Sequence, residues 1–204
     1  MSIFQKSGDW HSLRTESPVT LFLIIINAVM LVAVLVTGGF LRSDIVEWGV
    51  VSNSRIFDNG EYYRLVTAAF LHGSMMHFLS NIVIGLLALS SAAERLIGSA
   101  KFAILYFGSL LISSFIVALL SEIDTLGASG AIFGILGSLL WMTIYRKDMM
   151  SERDATSVRA LIAVNILFTF FSPGISIPGH IGGIVSGFLL SYLLIRRNVF
   201  KVLH

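Results

Sequence analysis

The sequence predicts an all-α membrane protein whose six transmembrane helices form a bundle. Hydrophobic residues make up 55% of the 204-residue chain and charged residues only 13%, and the mean hydropathy is +0.85. The charges are unevenly placed, so they leave uncharged stretches of roughly the 20 residues that cross a bilayer, or longer. These stretches are 17–41, 65–93, 102–121, 125–145 and 160–195.

The last uncharged stretch is too long for one span. Pro173 and Gly174, then Pro178 and Gly179, interrupt it, because proline lacks a backbone donor and glycine loosens the backbone. We therefore expect a loop over 172–179 and six spans in total. The predicted spans are about 18–38, 70–93, 102–121, 126–145, a fifth one ending at 171, and 180–195.

The fifth span is the shortest, since only 160–171 is uncharged. It must either extend back through 155–159, with the Arg159 side chain reaching to the interface, or remain short and tilted. The whole chain is therefore predicted to consist of a short flexible cytoplasmic tail (1–17), one six-span domain (18–197) and a basic cytoplasmic tail (198–204).

The distribution of Lys and Arg predicts the orientation in the membrane. Eleven of the fourteen basic residues lie in the two tails and in the loops 94–101 and 146–159. By the positive-inside rule both termini are cytoplasmic. Spans two, four and six then all begin at the outer face. Their polar residues would lie at one level: His72, His77, Asn81, Ser129 and His180.

Ser129 is the candidate nucleophile, in a stretch where Gly127 and Gly130 flank it closely. A serine hydroxyl is a weak nucleophile unless a base takes its proton and donors stabilise the oxyanion that forms. Ser129 stands at a predicted helix start, where unpaired backbone N–H groups can supply such donors. The alternative is a structural serine, whose hydroxyl only forms a hydrogen bond with its own backbone or with a neighbouring helix.

His180 is the candidate base. An ionisable side chain inside a membrane is costly, so it is a functional hypothesis by default, and its neutral form can accept a proton. Glycines at spacings of three and four residues would let spans four and six approach closely and bring Ser129 beside His180. These glycines are Gly130, Gly134 and Gly137 on one span, and Gly179, Gly183 and Gly187 on the other.

His77 and Asn81 lie four residues apart, on one helix face, with His72 about a further turn outward. Asn81 and His77 are candidate oxyanion donors; the alternative is a polar seam that only fastens helices. No acidic residue lies in the spans to complete a triad, which leaves a serine–histidine dyad. Because the chain has no cysteine, thiol nucleophiles and cysteine-ligated zinc are excluded.

Three motifs together resemble those of the rhomboid intramembrane serine proteases of the six-span bacterial type. They are H-x-x-x-x-H-x-x-x-N from His72, G-x-S-G from Gly127 and G-H-x-x-G from Gly179, and the resemblance runs from 63 to 187. It implies a rhomboid-like bundle in the cell (inner) membrane that cleaves single-span membrane proteins within or near their transmembrane segments. No cofactor, metal ion or nucleic acid is implied.

The resemblance also implies roles for further residues. Phe133 occupies a position that is often aromatic in the family and is a candidate to pack on the His180 ring. The family matches of His77 and Asn81 stabilise the oxyanion, and substrates would enter beside span five, near 168–179. Two features depart from the family pattern: Tyr63 stands where tryptophan is usual, and the distance from Asn81 to Glu94 is slightly long.

Two rival functions remain open. His72, His77 and His180 could bind zinc through three neutral imidazoles, although H-E-x-x-H is absent and no acid lies nearby to act as a base. The second rival function is that of a non-catalytic binder or a small transporter with the same fold. Transporters commonly show internal repeats and polar groups at the bilayer centre, which are not evident here, and a pseudoprotease would be expected to have lost Ser129 or His180.

Overall fold

The computed structural model describes residues 2–4, 10–40, 42–172 and 174–195. Within these ranges the regular structure is helical, apart from a β-bridge between Val51 and Thr125. In chain order the helices are α1 (Trp10–Glu16), α2 (Pro18–Val36), α3 (Asp44–Gly49), α4 (Asn53–Phe57), α5 (Arg64–Thr67), α6 (Met75–Ile97), α7 (Ser99–Leu120), α8 (Ser129–Tyr145), α9 (Glu152–Phe171) and α10 (Ile177–Leu194). Short 3-10 helices lie at Ala68–Phe70 and Lys147–Met149.

Six of these helices are apolar enough to form the predicted membrane bundle. α2, α6, α7, α9 and α10 are each long enough to cross a bilayer, and α8 is a shorter apolar helix of 17 residues. α8 is central, because it packs against α7 and α10 and most of its side chains are buried. The helices α6, α8 and α10 begin at the same end of the bundle, which we call the Ser129 end.

Two helix starts differ from the prediction, and each follows a serine cap. α10 begins at Ile177, and Ser176 accepts a hydrogen bond of 3.2 Å from the Gly179 N–H. Pro178 lies in the first turn, where its missing N–H has no role in the helix, so it begins α10 instead of breaking it. α6 begins at Met75 after the Ser74 cap, not near residue 70.

The fifth predicted span takes the longer of the two expected forms. α9 begins at Glu152, so it includes Arg159, whose guanidinium lies 3.6 Å from the Glu152 carboxylate on an exposed surface. Only 28% of the most apolar stretch of α9 is buried inside the bundle, and among the long helices only α2 is less buried.

The expectation of a flexible amino-terminal tail is wrong for residues 10–16. They form α1, in which Ser12 and Leu13 are buried. Residues 2–4 are also held: Ser2 Oγ donates to Asp154 Oδ1 at 2.6 Å, and Arg95 Nη2 donates to the Ile3 carbonyl at 2.9 Å. Contacts with α9 and α6 thus hold residues 2–4, and α1 packs against α2 and α6, although the polar composition gave no such signal. The predicted basic tail, 198–204, lies outside the described residues.

The middle of α6 is a π-helix, Asn81–Ser90, between two α-helical segments. Its ladder continues to Ser91, whose N–H donates to the Leu86 carbonyl five residues earlier. A π-helix places more residues in each turn than an α-helix. The slightly long distance from Asn81 to Glu94 falls on this π-helical stretch and the turn that follows it.

Arg64 organises the long loop between α2 and α5. Its side chain is 1% exposed and donates to the carbonyls of Glu47 and Val50 at 2.9 and 3.1 Å. It also pairs with Glu61 at 2.6 Å, and this hydrogen bond lowers the pKa of the Glu61 carboxyl. The neighbouring Tyr63 ring lies 5.5 Å from the guanidinium. Tyr63, which stands where tryptophan is usual in the family, therefore lies beside the buried arginine that holds this loop together.

The predicted glycine seam between α8 and α10 is confirmed. A Cβ atom added at Gly183 would overlap the Gly130 carbonyl oxygen, and one added at Gly187 would overlap the Gly134 carbonyl oxygen. At the far end of the seam, a hydrogen bond of 2.7 Å joins the Ser191 and Ser138 hydroxyl groups. The two backbones are therefore in direct contact over two turns below the Ser129 end.

Gly187→Ala should destabilise the bundle, because the new methyl group would meet backbone that cannot move aside independently. Overpacking of this kind costs about 1–3 kcal/mol. Gly182→Ala on the same helix is the matched control, since its Cβ would meet the Ile116 side chain instead of backbone, with the terminal Cδ1 nearest at 2.9 Å. Denaturation in detergent should show the larger loss of stability for Gly187→Ala; equal losses would mean that the seam tolerates separation.

Candidate active site

A small cavity at the Ser129 end contains both predicted catalytic residues. It has a volume of about 30 Å³, room enough for a water molecule. Residues from the first turns of α8 and α10 and from the facing part of α7 line it, among them Ser129, Gly130, Gly179, His180 and Ser113. The close approach of the two glycine-lined helices thus brings the serine and the histidine to one cavity.

Ser129 is the first residue of α8, and the preceding loop is held in place by backbone hydrogen bonds. Thr125 exchanges two of them with Val51, at 2.8 and 3.0 Å, and the Gly127 N–H donates to the Ala68 carbonyl at 2.8 Å. The first backbone bond of the helix runs from Ile132 N to Ala128 O. The N–H groups of residues 129–131 are therefore without a partner in the helix and are available to an anion.

His180 lies in the first turn of α10 and is 7% exposed. The Phe133 ring stacks on it, with centroids 3.7 Å apart and planes at 17°, which is the contact that the family resemblance predicted. Its Nδ1 lies 2.8 Å from Thr169 Oγ1 on α9. No hydrogen bond joins Ser129 to His180 in the described structure, as is common before substrate tightens a catalytic site.

His77 lies against the loop that leads to Ser129. A Cβ atom at Gly127 would come within 2.7 Å of His77 Cε1 and Nε2, and the Gly127 φ angle of +119° also favours glycine. His72 meets the His77 ring edge-on at 5.0 Å, but it precedes α6 instead of lying a turn along it, because the helix begins at Met75. It lines a separate pocket beside α2 with residues that include Leu31.

Asn81 is nearly buried, at 6% exposure, one turn after His77. Its Nδ2 donates to the His77 carbonyl at 3.0 Å, which engages one of the two amide protons and leaves one. The side chains of His77 and Asn81 do not line the cavity that holds Ser129 and His180. His77 borders the cavity through its contact with Gly127, which is one of the lining residues.

The three-histidine zinc hypothesis finds no matching cluster. In the part of the chain that the structure describes, no group of three His, Cys, Asp or Glu side chains is arranged to hold a metal ion. His72 contacts His77, whereas His180 is stacked on Phe133 and bonded to Thr169.

Sequence reasoning missed two residues of the site. Ser176 caps α10 and lines the cavity; a serine two residues before Pro178 is a helix-start signal that could have found it. Thr169 gave no such signal, because it lies in an apolar run eleven residues before His180. Only the packing of α9 beside α10 brings the two side chains together.

Comparison with known proteins agrees with these features. A family model described as the rhomboid domain matches residues 59–197, which is more than half of the chain. The chain belongs to the rhomboid family. The match includes α6 to α10 and therefore the whole candidate site.

Several curated relatives of the rhomboid family are similar to this chain. Putative rhomboid protease YdcA of Bacillus subtilis is 33% identical over 142 residues, 69% of this chain and 71% of that protein. Rhomboid protease GluP of the same organism is 32% identical over 93% of this chain, which spans only 38% of GluP. Rhomboid protease GlpG of Yersinia pestis is 25% identical over 96% of this chain and 69% of its own length. The family and these names support an intramembrane serine protease.

Gly127→Ala should displace His77 and the loop before Ser129, because the methyl group would meet the imidazole in a backbone conformation that disfavours it. A shift of about 1 Å at a reacting group lowers rates by about 10–100-fold, so labelling of Ser129 by a fluorophosphonate probe should slow by this factor.

Gly60→Ala is the control for backbone strain alone, since Gly60 also has a positive φ, +73°, but no atom within 4 Å of the added Cβ. It should label at the wild-type rate. If both variants labelled equally, the contact between His77 and Gly127 would have no bearing on the serine.

Proposed function

We propose that the protein is an intramembrane serine endopeptidase that uses Ser129 as nucleophile and His180 as base. Its substrates are single-span membrane proteins, cut within or near the transmembrane segment. The observation that carries the proposal is the shared cavity, in which a serine at a helix start faces a nearly buried histidine from a second helix.

The first half of the reaction forms an acyl-enzyme. The His180 imidazole takes the Ser129 hydroxyl proton while Oγ bonds to the scissile carbonyl carbon, and the carbonyl oxygen becomes an oxyanion. As the oxyanion collapses, the bond from carbon to nitrogen breaks. His180 gives its proton to the leaving amine, so the amino-terminal part of the substrate remains as an ester on Ser129.

The second half consumes one water molecule. His180 takes a proton from water, the hydroxide attacks the ester carbon, and the proton returns to Ser129 Oγ as the ester bond breaks. A site at the end of the bundle suits this step, since hydrolysis needs water to reach a depth that lipid would otherwise keep dry.

Backbone donors are the primary oxyanion stabilisers in this proposal. The unpaired N–H groups of residues 129–131 point along the start of α8, where the helix dipole also favours negative charge. His77 and Asn81 act as additional donors from α6. Asn81 retains one amide proton beyond its bond to the His77 carbonyl, and the His77 ring borders Gly127.

Substrate entry beside α9 fits the packing of that helix. Its apolar side chains near the Ser129 end are outward-facing, with Phe168, Phe170 and Phe171 at 60, 56 and 81% exposure. A transmembrane substrate approaching from the lipid would meet this surface first. Peptide bonds within an intact helix are shielded, so small or helix-breaking residues near the cut are expected.

The proposed location is the cell (inner) membrane, with both termini cytoplasmic and the Ser129 end facing outward. The excess of Lys and Arg at the opposite end supports this orientation. A non-catalytic role remains the second candidate on fold alone, but the retained serine, histidine and cavity favour catalysis.

Ser129→Ala should abolish cleavage of a model membrane substrate, because no attacking oxygen remains, and His180→Ala should do the same by removing the base. Loss of the nucleophile costs about 10⁶ in a soluble serine protease, so turnover should fall below detection. A fluorophosphonate probe should label the wild-type protein at Ser129 and fail to label Ser129→Ala.

Ser121→Ala is a suitable control, since Ser121 follows α7 at the same end and its hydroxyl bonds to the Ile123 backbone in the same loop. It should keep wild-type turnover. Cleavage that persists in Ser129→Ala, or that chelators remove from the wild type, would favour the metal hypothesis.

The chain has no cysteine, so single cysteines report its orientation without interference. Asp58→Cys and Asp124→Cys, both at exposed positions of the Ser129 end, should react with an impermeant thiol reagent in right-side-out vesicles. Asp148→Cys, exposed at the opposite end, should react only after detergent is added. The reverse pattern would refute the proposed orientation.

A further inference from the structure

Thr169 links α9 to the candidate base through a hydroxyl with two short contacts. Its Oγ1 lies 2.8 Å from His180 Nδ1 and 2.7 Å from the Asn165 carbonyl oxygen. The side chain is 2% exposed, so water does not compete for either contact. Both distances are within the normal range for hydrogen bonds.

The two contacts together decide where the protons are. A carbonyl oxygen only accepts, so the 2.7 Å contact with Asn165 requires the single hydroxyl proton of Thr169. Thr169 Oγ1 then has only lone pairs to offer to His180. The 2.8 Å contact with Nδ1 is therefore a bond that Nδ1–H donates. In a neutral imidazole this leaves Nε2 as the acceptor.

This assignment matters because the other known contact of the ring does not choose between tautomers. Stacking on Phe133 holds the plane of the imidazole, but the stack is the same whether the proton is on Nδ1 or Nε2. A ring with its proton on Nε2 cannot accept the Ser129 proton at that atom. In serine proteases of other folds, a side chain that accepts a hydrogen bond from Nδ1–H holds the histidine in the required tautomer.

The position of Thr169 on α9 supports a specific role. The buried residues of α9, all within the described part of the chain, are Asp154, Ala155, Val158, Ile162 and Thr169. Thr169 is separated from the others by two turns of exposed or half-buried side chains. At the Ser129 end, the burial of α9 is thus concentrated at the residue that contacts the base.

We propose that Thr169 is a positioning residue that holds His180 in the tautomer with hydrogen on Nδ1, leaving Nε2 free to take the Ser129 proton. The inference rests on the proposed serine–histidine dyad. The Asn165 carbonyl takes part by accepting the threonine proton, which makes Thr169 an obligatory acceptor toward the ring.

Three variants separate this role from helix stability. Thr169→Val removes the hydroxyl at nearly constant shape, Thr169→Ser keeps it, and Thr156→Val is the matched control. The Thr156 hydroxyl also donates to a carbonyl four residues earlier on α9, at 2.8 Å, but it is exposed and far from the site. Any general effect of losing a threonine hydroxyl from this helix should appear in both valine variants.

Turnover of a model membrane substrate should fall in Thr169→Val by about 10–100-fold, the cost typical of removing the hydrogen-bond partner that orients a metal-ligating histidine, with KM little changed. Thr169→Ser should restore most of the loss, and Thr156→Val should match the wild type. If activity requires Ser129 but the two valine variants show equal turnover, the proposed role of Thr169 is wrong. That result would leave the proposed dyad intact. Turnover that survives Ser129→Ala would instead overturn the dyad.

The tautomer itself can be measured without any activity. Two-bond proton–nitrogen correlations on ¹⁵N-histidine protein, assigned by the signal lost in His180→Ala, distinguish protonated Nδ1 from protonated Nε2. Wild-type protein should show hydrogen on Nδ1 of His180, and Thr169→Val should show a gain of the Nε2–H form. Hydrogen on Nε2 in the wild type overturns the proposal, whether or not the valine variant folds.

Discussion

The backbone contact between α8 and α10 is the constraint on which the rest of the structure depends. Glycine at residues 183 and 187 places these helices so close that carbonyl oxygens of α8 occupy the space of a Cβ atom. Ser129 and His180 lie in the first turns of the two helices, so the separation of the backbones sets the separation of these two side chains. The bond between Ser138 and Ser191 closes the opposite end of the seam, which makes the pair a rigid unit.

Around this unit, the site is assembled from helix starts. α6 and α10 are each capped by a serine, Ser74 and Ser176, and α8 starts after Gly127 turns the chain. A helix start presents unpaired N–H groups and the positive end of the dipole. In the proposed reaction, helix starts at one end of the bundle would stabilise an oxyanion, although no Asp, Glu, Lys or Arg among the described residues lines the cavity that holds Ser129 and His180.

α9 stands apart from this rigid unit. Its surface near the Ser129 end is made of exposed phenylalanines, whereas its buried side there is reduced to Thr169. A helix held in this way has few contacts to lose if it moves. The hydrogen bond between Thr169 and His180 therefore links the proposed dyad to its least packed neighbour, and movement of α9 would break it.

The sequence by itself determined the apolar spans and the glycine seam, because hydrophobic length and glycine spacing are local signals of strong physical effects. It also singled out Ser129 and His180 as the candidate nucleophile and base. It also predicted the stack of Phe133 on His180 through the family resemblance. Only the structure showed where α10 begins, that α6 contains a π-helix and that residues 10–16 form a helix. A proline or a run of polar residues is compatible with more than one local structure, so the sequence alone did not decide these features. Thr169 is the clearest case. Its partner lies on another helix, and only the tertiary packing of α9 against α10 decided that its hydroxyl meets the imidazole.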